Sequence, residues 1–144
     1  MDKQTVQRIW TQWGLAPQVD VYAAEHNHLL WRFWSWAPAP NAEATDALAQ
    51  DWAASKQGLL HINPPWPLIW KTLQKVKRDK AHAVIVLPLC KTMPWWPLLL
   101  TMITRPPEVL SGSVFRDRCG TLMPPPKWKT LIAEVNCSPP LSRP

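Results

Sequence analysis

Leu59-Leu60-His61-Ile62-Asn63-Pro64-Pro65-Trp66 reads as a short apolar strand running into a stiff corner, with a helix starting near Pro67. Two consecutive prolines fix φ and remove two backbone donors, so the corner is rigid and its carbonyls are free to accept. A short amide, Asn63, and a large indole, Trp66, flank it. Such a corner can accept hydrogen bonds from a planar amine while the indole stacks on the ring that carries it. The exocyclic amino group of a nucleobase fits that description. The same four residues also read as a plain strand end that caps the next helix, so the rest of the chain has to decide.

Outward from this corner the pattern alternates strand and helix. Residues 67–80 predict a helix: Pro67 suits its first turn, and Ile69, Trp70, Leu73 and Val76 form an apolar face. Lys71, Lys75 and Arg78 fall at i, i+4 and i+7 on another face. That stripe reads either as a phosphate-tracking, nucleic-acid-binding surface or as an ordinary solvated face. Residues 83–89 are a continuous apolar run, as in strands buried on both faces of a parallel sheet. Pro94-Trp95-Trp96-Pro97 leads into an apolar helix over 98–103, with a strand expected around 109–115.

Upstream, Val6, Ile9, Trp10 and Trp13 fall at i, i+3, i+4 and i+7, the apolar face of a helix that Gly14 should stop. Residues 19–24 read as a strand and 25–28 as a loop. A second strand is expected within 29–36, ended by Pro38 and Pro40. Residues 41–50 look helical, with Asn41 as the cap and alanine-rich sequence behind it. His26 and His28 lack further ligands at metal spacing, so no metal site is expected. The whole predicts an α/β fold: a Rossmann-like, mostly parallel sheet flanked by helices. The domain is expected over residues 1–115, with a proline-rich, largely irregular segment over 116–144.

With 144 residues, one domain with one core is expected. Hydrophobic residues make up 47% and charged residues 18%, which favours a globular over a disordered chain. Three cysteines without a C-x-x-C pair read as free thiols in a reducing, intracellular compartment, cytoplasmic or nuclear. The N-terminus opens polar, without a signal-peptide pattern, and the apolar region 83–103 is interrupted by Pro88, Lys91, Pro94 and Pro97, so no membrane span is expected. The formal charge of +6 is uneven: residues 1–70 carry four Lys/Arg against six Asp/Glu, residues 71–144 twelve against four. A polyanion-facing side is one reading of that asymmetry and a solvated basic surface the other.

The ordered set of pieces resembles the phage-type DNA N6-adenine methyltransferases. The matching residues are Asp20, Val21, Ala23, Ala24 and Asn27, then Asp46, Ala47, Leu48, Asp51 and Trp52, then Asn63 to Trp66, then Leu87-Pro88 with Trp95 beyond. The opening helix with Trp13-Gly14, and the Trp-rich stretch after Asn27, are closer to the methyltransferase-like domain of DIRS-type (tyrosine-recombinase) retrotransposon polyproteins. The resemblance implies a truncated methyltransferase core that uses S-adenosylmethionine, with DNA and other domains of a polyprotein as partners. It implies that Asn63 and the Pro64 carbonyl accept hydrogen bonds from the adenine amine, at a corner closed by Pro65, and that Trp66 stacks on the extruded base. It implies that Asp20, Tyr22, Ala23 and Ala24 border the cofactor, with Asp46 or Asp51 on its polar groups. Where amino-methyltransferases commonly carry a glycine turn after the first strand, this chain has Ala23-Ala24-Glu25. A catalytically inactive remnant that binds nucleic acid or serves as a scaffold, and an enzyme acting on another planar amine, stand beside the adenine reading.

Overall fold

The computed structural model describes residues 2–111 and 128–139. In chain order the elements are α1 (Lys3–Trp13), β1 (Val19–Ala23), β2 (Arg32–Ser35), β3 (Ala44–Thr45), α2 (Ala54–Gln57), β4 (Leu59–Ile62), α3 (Ile69–Arg78), β5 (His82–Pro88), α4 (Trp96–Leu100), β6 (Glu108–Leu110) and β7 (Thr130–Asn136). The strands form one seven-stranded sheet in the order β3-β2-β1-β4-β5-β7-β6. β1 to β5 run parallel, and β7 and β6 complete the sheet antiparallel. The fold is α/β and compatible with a Rossmann-like architecture, as the strand–helix alternation predicts. No described helix is long and apolar enough to cross a membrane.

Each sheet face is covered by the helix whose apolar stripe matches it. Asp2 caps α1, accepting from the Thr5 N–H at 3.2 Å, and Gly14 closes it at φ +67, the left-handed conformation that glycine adopts without penalty. Val6, Ile9 and Trp10 of α1 then pack with Leu59, Val84, Val86 and Ile132 on one face. On the other face Ile69, Leu73 and Val76 of α3 and Leu99 of α4 meet Val21, Leu60, Ile62, Ile85 and Leu87. β5 is buried on both faces, which explains its unbroken apolar run.

Two expectations are corrected. Residues 41–50 are not a helix: Ala44–Thr45 pair with Trp34 and Ser35 of β2, Asp46 takes φ +61, and only a 3-10 turn follows at Ala47–Ala49. The stretch has alanines but no 3.6-residue apolar stripe to bury. Propensity alone does not sustain a short helix in water, so pairing at the sheet edge prevails. The C-terminal segment from residue 116 is not irregular throughout. Thr130–Asn136 is an inner strand paired with β5 over seven residues, because Leu131, Ala133 and Val135 fill one face of the sheet and Ile132 the other. Pro124-Pro125-Pro126 of the proline-rich segment lies outside the described residues, as do Cys119 and the part of the expected strand beyond Ser111.

Candidate functional site

The strand order reverses between β1 and β4: β1 leads outward to β2 and β3, β4 to β5. Ligands of such sheets bind outside the carboxyl ends of the strands at this reversal. Two turns meet there, residues 24–28 after β1 and residues 63–66 after β4. Asn63 and Tyr22, with Asp20, Asn27 and His61, line a cavity of about 30 Å³. On its other side Asn63 borders a second cavity of about 160 Å³, with Trp66, Leu87, Pro88, Trp128 and Thr130. Asn63 thus stands between a small polar cleft and a larger aromatic one.

The corner takes the backbone its prolines dictate, with Pro65 at φ −56. Pro65 leads into a 3-10 turn, Trp66–Leu68, whose Leu68 N–H donates to the Pro65 carbonyl at 2.9 Å. Among the described residues the Pro64 carbonyl accepts no backbone hydrogen bond, and the Asn63 amide has no partner. Trp66 is half exposed and its ring lies 4.2 Å from that of Trp128, tilted by 47°. The site therefore presents unengaged acceptors beside two indoles.

The turn after β1 is built without glycine. Tyr22 itself takes the left-handed backbone, φ +62, a conformation that costs a non-glycine residue roughly 1–2 kcal/mol. Its side chain is held in place: the hydroxyl is 2.8 Å from the Thr72 hydroxyl of α3, and the ring meets Trp52 edge-on. Burial raises the phenol's pKa, which the nearby Asp46 carboxylate raises further. Asn27 closes the turn, its Oδ1 accepting from the Ala24 N–H at 2.7 Å while its own N–H donates to the Ala24 carbonyl. His28 stacks on Phe33 at 4.0 Å.

Asp20 and His61 are neighbours in register on β1 and β4, both buried on the α1 side. Asp20 accepts from the Leu29 N–H at 2.6 Å, and burial pushes its pKa up to about 7. His61 is enclosed completely, edge-on to Trp10, with Nδ1 unpartnered among the described residues. Burial pulls its pKa down to about 3, so the ring is neutral.

The fold brings Asp20, Tyr22, Ala23 and Asn63 to one cleft. Ala24 follows directly, half-buried in the turn that Asn27 closes, and the exposed Asp46 approaches Tyr22. Asp51 is elsewhere. It precedes α2 at the amino end of β4, pairs with Lys56 at 2.8 Å and caps the Ala53 N–H at 2.9 Å. The basic stripe is also divided. Lys71 and Arg78 are exposed, but Lys75 is buried, 2.7 Å from Asp79 and over the Trp52 ring. Asp79 one turn on and Trp52 beneath draw it out of solvent. His61, Thr72 and Trp128 were not legible as site residues: each is brought in by pairing across distant segments, and no local pattern marks it. The chain matches no protein-family model and no curated protein.

Proposed function

We propose that the chain is an S-adenosylmethionine-dependent DNA adenine-N6 methyltransferase-like domain of a retroelement polyprotein. The observation that carries this reading is the position of Asn63, between a polar cleft at the strand-order reversal and a tryptophan-lined cavity. Its amide and the Pro64 carbonyl, without partners among the described residues, can accept both hydrogens of an aromatic amine. Accepting them draws electron density onto the nitrogen and fixes its direction. Trp66 and Trp128 hold the ring, and a duplex must flip its base to present it. The chain's contribution is positioning and electrostatics.

The residues of the polar cleft fit the cofactor chemically. Asp20 is a buried carboxyl with one backbone partner and no ion pair among the described residues. Such a group suits a cationic or hydrogen-bond-donating ligand. Asp20, Tyr22, Ala23 and Ala24 would hold the cofactor, with Asp46 at its outer polar groups. When bound, S-adenosylmethionine supplies an electrophilic methyl group on a sulfonium.

The narrowness of the cleft favours a second reading, a catalytically inactive module that binds nucleic acid. About 30 Å³ admits a water molecule, so a nucleoside-sized ligand requires the 24–28 turn to move. Calorimetric titration with S-adenosylmethionine separates the two. Micromolar binding, at least tenfold weaker in Asp20→Asn, is expected for the enzyme. Asn63→Ala should then lose methyl transfer to adenine by 100-fold or more, with its melting temperature unchanged. No heat of binding up to millimolar cofactor, in a chain shown to be folded, leaves the second reading.

A further inference from the structure

A third exposed indole follows the aromatic cavity along the chain. Trp66 and Trp128 leave 49% and 41% of their surface exposed, and Trp70, one turn further along the same helical segment, leaves 42%. Beyond Trp70 the outer face of α3 carries Lys71, Gln74, Lys77 and Arg78, all exposed. α3 contains no acidic residue, and Asp79 at its end is engaged by Lys75 and the Trp52 N–H. Arg78 leans on Asp79 at 3.3 Å yet keeps 70% of its side chain in solvent. A groove of about 240 Å³ runs beside Lys71, Gln74 and Arg78.

Exposed indoles beside the exposed cations Lys71, Lys77 and Arg78, of which Arg78 alone has an acidic partner among the described residues, fit a ligand that offers planar apolar rings and negative charge in alternation. A nucleic-acid strand with unpaired bases is such a ligand, and aromatic platforms combined with a basic track are how such strands are held. A duplex offers the charge but keeps its rings inside. Trp66 and Trp70 are four residues apart across the 3-10 turn and the start of α3, an axial rise of about 6–8 Å. Bases in a duplex strand are about 3.4 Å apart. One strand reaches both rings only if its neighbouring bases are unstacked.

We propose that the partner of this surface is a single-stranded nucleic acid, with one base in the Trp66–Trp128 cavity, the next on Trp70, and the backbone along Lys71, Lys77 and Arg78. It rests on the amine-site reading of Asn63 for the identity of the central base alone. Binding along the track needs neither Asn63 nor cofactor.

Fluorescence anisotropy of end-labelled 12-mers with the full chain tests it, using adenine-containing single-stranded DNA, the RNA of the same sequence, and the duplex DNA. At least one single strand should bind tenfold or more tighter than the duplex, and the DNA and RNA arms show whether the 2′-hydroxyl matters. Trp70→Ala should weaken single-strand binding about tenfold, with little change for the duplex, and Trp70→Phe should restore most of it. Melting curves establish that both variants fold. Duplex binding within tenfold of the tighter single strand, no binding to any of the three, or no loss in Trp70→Ala would overturn the proposal. Titration with S-adenosylmethionine keeps the failures apart. Cofactor binding without single-strand preference removes this proposal alone, and single-strand preference without cofactor binding removes only the enzymatic reading.

Discussion

Asp20 and His61 sit side by side on adjacent strands with pKa values displaced in opposite directions, to about 7 and about 3. Both shifts come from burial, which disfavours whichever form is charged. Asp20's folded pKa is raised above its ordinary 3.8, so its contribution to stability is present below pH 4 and lost as pH rises through 7. His61's is depressed from 6.5, so its contribution is present above pH 6.5 and lost as pH falls through 3. Between about pH 4 and 6.5 the folded pair holds one proton on Asp20, and the unfolded pair holds one on His61. The two slopes therefore cancel. Asp20→Asn should remove the falling slope, so that stability relative to wild type gains about 1.4 kcal/mol per pH unit across this window. His61→Leu should do the reverse, losing about 1.4 kcal/mol per unit. Urea unfolding at half-unit pH steps checks both, and parallel curves for all three proteins would refute the pairing. This compensation is invisible in the sequence, where the two residues are 41 positions apart. The acceptor corner is visible there because Asn63, Pro64, Pro65 and Trp66 are contiguous and two prolines dictate their backbone.

At the scale of elements, legibility follows the strength of the local period. α1, α3, β4 and β5 carry full apolar stripes or runs, and each forms where the pattern places it. Over residues 41–50 only Ala47 is buried, so nothing local opposes the pull of the β2 edge. β7 was hidden differently. Its Leu131-Ile132-Ala133 run is as apolar as β4, but it follows a proline-rich stretch and finds its partner more than forty residues back in β5. α3 shows what periodicity alone misses. A stripe at i, i+4, i+7 treats Lys71, Lys75 and Arg78 as equivalent, whereas Lys75 is an internal strut between Asp79 and Trp52. Lys75→Ala should lower stability by about 2 kcal/mol, a melting shift of roughly 4–8 °C, because Asp79 loses its main partner in a half-dry site. Under the proposed nucleic-acid binding, its affinity should keep the same salt dependence. Lys71→Ala should leave the melting temperature unchanged and flatten the slope of log affinity against log salt by about 0.7–0.9. Paired melts and salt titrations of the two variants decide it, and a flattened slope in Lys75→Ala would show that the buried lysine reaches phosphate after all.

For the molecule as a whole, β7 joins the parallel half of the sheet to the segment that follows α4. It is hydrogen-bonded to β5 on one side and β6 on the other, with Leu131, Ala133 and Val135 in one hydrophobic cluster and Ile132 in the other. It also anchors what precedes it. The Thr104 N–H donates to the Glu134 carbonyl at 3.1 Å, and Arg105 and His82 both reach the Glu134 carboxylate, at 2.8 and 2.7 Å. The Asn136 N–H donates to the Met102 carbonyl and the Cys137 N–H to that of Ala81. Two residues of the aromatic cavity depend on the same connection, because Trp128 and Thr130 enter it from the start of this strand. Removing residues 128–144 would turn β5, apolar on both faces, into an open edge whose unpaired groups invite another chain. It would also leave β6 without a partner. The truncated chain should therefore lose its cooperative melt, bind a hydrophobic dye, and show collapsed amide dispersion by NMR, in contrast to a chain shortened only after Pro139. A truncated chain that still melts cooperatively within about 5 °C of the full one would mean that the parallel strands and α1 form a core by themselves, and that the reversed strand was added to a fold already complete.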